Sequence, residues 1–305
     1  MILVEKMTES KCPLCNEIDS IFITKYPGIF LHCIELHQCQ ACDLIYCIDL
    51  PTKEELNSYY SNGGFYDEFV NPFNKEFINF SVKLSYTRLR LIEKETHVFK
   101  NNCKVLDIGS GNSSFGIALN KFSQDFIYDV VEPDDQVRSK LINWTDNRYS
   151  DIDEIKAGGY NLAVMNQVLE HVPDPVDFIA SVAQLLSKSG YIYIDVPYKD
   201  FLFKPSVVPH ILFWTQESIS YLLEKTGFQI IFCNTVGMLH VKAKKEFNQQ
   251  TLMEKICNPW SYANYVNKIA ANLGLAPLLD TFSQFEADQY GGERQWLRCI
   301  AQKID

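Results

Sequence analysis

Val105-Leu106-Asp107-Ile108-Gly109-Ser110-Gly111-Asn112-Ser113-Ser114 is the stretch around which the chain is organised. Val105, Leu106 and Ile108 form an apolar run closed by turn residues, the pattern of a short buried strand. Gly109 and Gly111 let the backbone turn tightly and approach a ligand with no Cβ in between. Ser113 and Ser114 are placed to cap a helix that opens near Phe115.

The neighbouring chemistry narrows the ligand. A dinucleotide loop needs G-x-G-x-x-G, and the third position is Ser114. A phosphate-cradling P-loop ends in Gly-Lys-Ser/Thr, which is absent. The carboxylate of Asp107 sits just ahead of the glycines, a poor place for a pyrophosphate and a good one for a ligand with positive charge. The stretch resembles motif I of class I S-adenosylmethionine-dependent methyltransferases, an acidic residue followed by G-x-G-x-G. Asp107, Gly109 and Gly111 match it, and Ser113 replaces the last glycine. The resemblance implies S-adenosyl-L-methionine as cofactor, which carries an ammonium and a sulfonium and no phosphate. On the motif alone, the alternative is an ordinary strand–turn–helix.

Composition sets outer limits. The chain has 305 residues, 47% hydrophobic and 13% aromatic, enough for a substantial core. Its net charge of −10 makes it a poor partner for polyanions, so nucleic acid is not the expected ligand. No apolar run approaches the ~18 residues that span a bilayer. The first residues, MILVEKMTES, show no basic region leading into an apolar core and a small-residue cleavage site. A cytoplasmic protein without membrane contact is expected, and its ten cysteines then point to metal rather than disulfides.

Cys12-Pro13-Leu14-Cys15 and Cys39-Gln40-Ala41-Cys42 are two C-x-x-C pairs. Each pair bites one ion from a tight turn, and together they complete a tetrahedral Cys₄ site for a structural Zn²⁺. Between them Ile21, Phe22 and Ile23 and later Phe30 and Leu31 read as a hairpin that joins the pairs. The alternative is a set of redox or merely buried thiols. This segment resembles the zinc-binding module that precedes the methyltransferase domain in a group of bacterial enzymes, several of which methylate sugar nucleotides or other carbohydrates. The resemblance to those sugar C-methyltransferases implies that tyrosines in the aromatic run after it, Tyr59, Tyr60 and Tyr66, line the acceptor site.

Residues 74–100 read as a helix with Phe77, Phe80, Leu84, Leu91 and Ile92 on its apolar stripe and Arg88 on another face. Phe126–Glu132 reads as the second strand of the main sheet, and Glu132 at its end is placed to accept both hydroxyls of a ribose. The family resemblance places an acidic side chain near the adenine amine with its neighbour packed on the ring, and Asp151 and Ile152 are the candidates. Asn161–Asn166 is a further strand, with Asn166 and Gln167 expected beside the methionine moiety. It runs into Leu169-Glu170-His171-Val172-Pro173-Asp174-Pro175, which resembles the L-E-H-V-x-D-P segment of the same superfamily and turns Glu170 and His171 toward the acceptor.

Strand and helix alternate through Val196, which predicts a doubly wound α/β domain. His210 precedes a helix from Gln216, and the stretch resembles H-L-x-x-F-S…L-L-x-x-x-G-F of the same group, whose histidine there is proposed as the general base. Val207, Val208 and Pro209 stand where that group often has Glu or Tyr. The alternative role for His210 is to stabilise the loop. Residues 242–289 read as amphipathic helices, a cap or the contact of a homodimer. Trp296–Ala301 resembles the last strand of the fold, inserted antiparallel. The expected domains are a zinc ribbon (1–60), an aromatic linker and helix (61–102), a Rossmann-like cofactor domain (103–240), and a helical cap with the last strand (241–305).

The resulting expectation is a methyltransferase acting on a small-molecule acceptor, a sugar or sugar nucleotide, by C- or O-methylation. Two alternatives stand beside it. One is an RNA or protein methyltransferase; the other is a zinc-ribbon binding protein whose methyltransferase fold is inert.

Overall fold

In the computed structural model a seven-stranded mixed sheet carries the cofactor-loop sequence at its centre. The structure describes residues 10–26, 34–61, 71–100, 102–123, 125–141, 145–204, 207, 209–241 and 289–304. The N-terminal part holds β1 (Ser20–Tyr26), β2 (Ile34–Cys39) and β3 (Ile45–Cys47), then α1 (Lys53–Ser61) and α2 (Lys75–Thr96). Strand and helix then alternate through β4 (Cys103–Ile108), α3 (Ser114–Phe122), β5 (Phe126–Val131), α4 (Asp135–Ser139) and β6 (Asn147–Tyr149). They continue through β7 (Tyr160–Asn166), α5 (Pro175–Leu185) and β8 (Leu186–Pro197). The remaining elements are β9 (Leu212–Phe213), α6 (Gln216–Lys225), β10 (Phe228–Leu239) and β11 (Arg294–Lys303).

The large sheet has the order β10-β11-β8-β7-β4-β5-β6. Strands β8, β7, β4, β5 and β6 pair in parallel, and β11 inserts antiparallel between β8 and β10. Its central strands are apolar along their length because helices cover both faces: Val105, Leu106, Leu162, Val164 and Ile192 are fully buried. The strand order switches direction at β4, between β5 and β7, so the turns after β4 and β7 open into one crevice.

The N-terminal strands form a separate antiparallel sheet, β1-β2-β3-β9. Its fourth strand comes from beyond the parallel strands of the large sheet, two residues past His210. The small sheet is thereby built onto the wall of the crevice.

Helix α2 begins where Asn74 Oδ1 accepts the backbone N–H groups of Glu76 and Phe77 at 2.9 and 3.3 Å. It ends at His97 in the left-handed region, φ 50°. Its sequence carries two inward faces. Val82, Leu89 and Ile92 pack in the core with Phe115 and Leu119 of α3, while Phe77, Phe80 and Leu84 line the crevice. Arg88, expected on a polar face, is instead buried. Its Nε lies 2.8 Å from Asp195 Oδ2, and Arg298 Nε of β11 lies 3.0 Å from the same oxygen. Burial opposes ionisation of Asp195, but the two guanidinium groups outweigh it and hold its pKa below the usual carboxylate value. A fully buried charge needs such partners, which is why an arginine replaces an apolar residue on that face.

The expected cap of α3 also differs. Ser113 takes φ 54° and makes no side-chain cap bond. Asn112 does the work: its Oδ1 accepts the Ser114 N–H at 3.1 Å and its Nδ2 donates to Pro72 O at 2.7 Å. The helical element expected at 242–289 lies outside the described residues except at its last position. Among the described residues no helix is long and apolar enough to cross a membrane.

Candidate active site

The crevice is a cavity of about 920 Å³ over the carboxyl ends of β4, β5, β7 and β8. At one end lies the glycine loop. Gly109 adopts φ +68°, and a Cβ there would meet Val168 Cγ2 at 2.5 Å, so both conformation and space require glycine. The N–H groups of Gly109 and Ser110 both donate to Val131 O, which folds the loop back over β5.

Asp107 is buried under this loop. Its Oδ2 accepts the hydroxyl of Tyr128, and its Oδ1 has no hydrogen-bond partner among the described residues. Burial pushes its pKa up to about 7. Glu132 is buried at the end of β5; it accepts the Gly111 N–H at 2.7 Å and the Asp134 N–H at 3.1 Å. Burial raises it too, to about 7. Asn166 lines the cavity at the end of β7 with its Oδ1 buried and, among the described residues, unpartnered. Asp151 and Ile152 line the same end, and Asp151 also accepts the Asp153 N–H at 3.0 Å as the cap of a 3₁₀ turn.

At the other end the turns after β7 and β8 meet. The Ile211 N–H donates to Glu170 O at 2.9 Å, and His171 Nδ1 lies 3.4 Å from Pro209 O. These contacts bring the rings of His171 and His210 to 5.1 Å, edge to face. His171 Nε2 is 3.7 Å from Glu170 Oε1. Burial drives Glu170 well above the usual carboxylate range and His171 down to about 3, so both favour their neutral forms.

Beyond them, Asp200 Oδ2 lies 3.1 Å from His210 Nδ1 and 2.8 Å from Lys204 Nζ. Burial would raise Asp200, but His210 and Lys204 outweigh it and hold it below the usual range. Tyr60 lines the cavity with its ring 5.7 Å from His171. Tyr59 stacks edge-on against Tyr60 at 5.1 Å, outside the lining, and Tyr66 lies outside the described residues.

A family profile described as a methyltransferase domain matches residues 81–231, from inside α2 to inside β10. The chain carries a class I S-adenosylmethionine-dependent methyltransferase domain. Among solved structures, a S-adenosylmethionine-dependent methyltransferase of Thermotoga maritima is 15% identical, with 79% of this chain and 99% of that one covered and a TM-score of 0.50. Another from Leishmania major is 11% identical, with 82% of each chain covered and a TM-score of 0.50. At such identities the likeness is one of fold. A search of the curated proteins finds no match.

The methyltransferase's residues fit the cofactor of its family. The glycine loop admits close backbone approach, and the orphaned acceptors of Asp107 and Asn166 suit a donor of positive charge. Glu132 keeps a further lone pair on each oxygen for the two hydroxyls of a ribose.

The four thiols of Cys12, Cys15, Cys39 and Cys42 cluster within 4.8 Å of one another, and all are free of disulfides. Cys12 Sγ is 3.5 Å from Cys42 Sγ, and Cys15 Sγ is 3.4 Å from Cys39 Sγ. Tetrahedral Zn²⁺ with Zn–S bonds of about 2.3 Å spaces its sulfurs by about 3.8 Å. The two contacts Cys12–Cys42 and Cys15–Cys39 lie within a few tenths of an ångström of that spacing.

Sequence reasoning missed Asp200, Tyr128 and Asn112. No local pattern joins Asp200 to His210 across the intervening loop, and only the fold brings them into contact. Tyr128 reads as an ordinary strand aromatic until its hydroxyl is seen on Asp107.

Proposed function

We propose that the methyltransferase transfers a methyl group to an oxygen or carbon of a small-molecule acceptor, a sugar or sugar nucleotide. The observation that carries this reading is the shared cavity. One end presents the glycine loop, Asp107 and Glu132, and the other presents Glu170, His171 and His210. S-adenosylmethionine, when bound, supplies an electrophilic methyl on a sulfonium.

Asp107 and Asn166 hold its ammonium end, Glu132 its ribose, and Asp151 and Ile152 its adenine. Tyr60, backed by the ring of Tyr59, shapes the acceptor side. Most of the rate comes from holding nucleophile and methyl in line at near-attack distance. Transfer of that methyl to the acceptor would leave the sulfonium as a neutral thioether, and the acceptor's proton would leave at the Glu170–His171–His210 cluster. His210 receives it. The sugar preference comes from the resemblance of the N-terminal module, in which Cys12, Cys15, Cys39 and Cys42 hold a structural Zn²⁺. A net charge of −10 favours a small acceptor over RNA.

The test is methyl transfer from labelled S-adenosylmethionine to a panel of sugar nucleotides, with His210→Ala beside the native chain. Product with a sugar nucleotide that His210→Ala reduces at least tenfold supports the reading. Transfer confined to RNA or protein acceptors would replace it.

A further inference from the structure

Glu170, His171 and His210 form a second cluster of metal-ligand type, separate from the four cysteines. One ligand atom from each lies within 4.8 Å of the others. Two imidazoles and one carboxylate on one side of a cavity make the facial arrangement that holds a first-row divalent cation and leaves its other positions open.

The surroundings prepare these groups as ligands. A metal-bound imidazole offers one nitrogen and anchors the other on a carboxylate or carbonyl. His171 Nδ1 faces Pro209 O at 3.4 Å, and a carbonyl only accepts, so the proton sits on Nδ1 and the lone pair on Nε2. His210 Nδ1 faces Asp200 Oδ2 at 3.1 Å, so on giving up a proton to bind a cation the imidazole keeps the one on Nδ1 and offers the lone pair of Nε2. Glu170 is the independent sign. It is 1% exposed and lines the cavity, and among the described residues neither of its oxygens accepts a hydrogen bond from another residue. A buried carboxylate without donors is costly, and a cation would remove that cost. The Ile211 N–H to Glu170 O bond at 2.9 Å fixes the spacing between the two ligand-bearing turns.

The geometry points to a divalent transition-metal site on Glu170, His171 and His210, open toward the acceptor. The inference rests on the cavity being the acceptor site and gives the cluster a second route to the same chemistry. A hydroxyl bound on the open face is acidified and gives its proton to water. Its oxygen then takes the methyl carbon as the carbon–sulfur bond breaks, leaving a neutral thioether. Loaded with the cation, His210 is a ligand.

Co²⁺ added to the zinc-loaded full chain tests this, because its spectrum reports which site it enters. Thiolate ligation gives intense charge-transfer absorption, and nitrogen and oxygen ligation gives only weak visible bands. The expected result is one Co²⁺ per chain beyond the zinc, with weak bands alone. Its affinity should fall at least tenfold in Glu170→Gln and in His171→Gln. S-adenosylhomocysteine binding by the same variants shows that they fold. No Co²⁺ beyond the zinc, thiolate charge transfer, or binding that survives both substitutions overturns the site. Co²⁺ binding by a chain that fails to bind S-adenosylhomocysteine would sink the methyl-transfer reading and leave the cation site standing.

Discussion

The backbone N–H of Cys47 donates to the carbonyl of Ile211 at 3.0 Å, one residue beyond His210. The same seam pairs Ile45 with Phe213 and Tyr46 with Leu212. Lys225 Nζ adds a bond to Leu14 O at 2.9 Å, inside the first C-x-x-C turn. The cysteine module therefore braces the His210 loop, and its metal content should be felt in the cavity. Cys39→Ser, or stripping with a strong chelator, is expected to lower the melting temperature and to cut kcat/KM about tenfold or more. Thermal melts and initial rates on zinc-loaded and stripped protein check this. Undiminished turnover after complete zinc loss would show that the module is independent of the site.

Asp200 acts through His210. Its carboxylate fixes which ring nitrogen carries the proton, and an amide would present a weaker and ambiguous partner. Asp200→Asn is expected to reduce kcat by about 10–100-fold, the usual cost of losing such a partner, with KM changed far less. A larger effect on KM than on kcat would assign Asp200 to binding or to folding of the loop.

Asp107 and Glu132 both have pKa values raised to about 7 by burial. Between their unfolded values near 4 and about 7, the folded protein holds protons that the unfolded chain lacks. Stability of the unliganded protein should therefore fall as pH rises through that window. Cofactor binding has the opposite sign. An ammonium and two ribose hydroxyls favour the ionised carboxylates, so S-adenosylhomocysteine should bind more tightly at pH 8 than at pH 6 and release protons near pH 6.5. Calorimetry in buffers of different ionisation enthalpy reads both effects. An affinity flat across this range would contradict the assignment of these carboxylates to the cofactor.

Gly109→Ala introduces a Cβ 2.5 Å from Val168 Cγ2 at φ +68°. Positive φ and overpacking together should destabilise the protein by about 2 kcal/mol or more. The loop would shift in response, so S-adenosylhomocysteine affinity should drop along with the melting temperature. Unchanged affinity would mean that the loop does not touch the cofactor.

The fold was legible wherever a local pattern carried it. The apolar runs at Val105–Ile108, Leu162–Met165 and Ile192–Val196 announced buried parallel strands, and the turn residues after them marked the ligand side. The paired C-x-x-C turns were equally plain. What escaped depended on contacts between distant segments. Arg88 falls among apolar residues of α2 and reads as solvated until Asp195 and Arg298 are seen against it. Ser113 reads as a cap in sequence, but its backbone is left-handed and its hydroxyl makes no cap bond, so Asn112 takes the role. The pairing of β3 with β9 joins residues 45 and 213, a separation that no local pattern reaches.

The most direct test of the account is calorimetric titration of S-adenosylhomocysteine into the zinc-loaded protein, repeated with Glu132→Ala. The account predicts micromolar binding by the native chain, weakened at least tenfold, about 1.4 kcal/mol, by the substitution. Folded, zinc-loaded protein that binds no S-adenosylhomocysteine would contradict it.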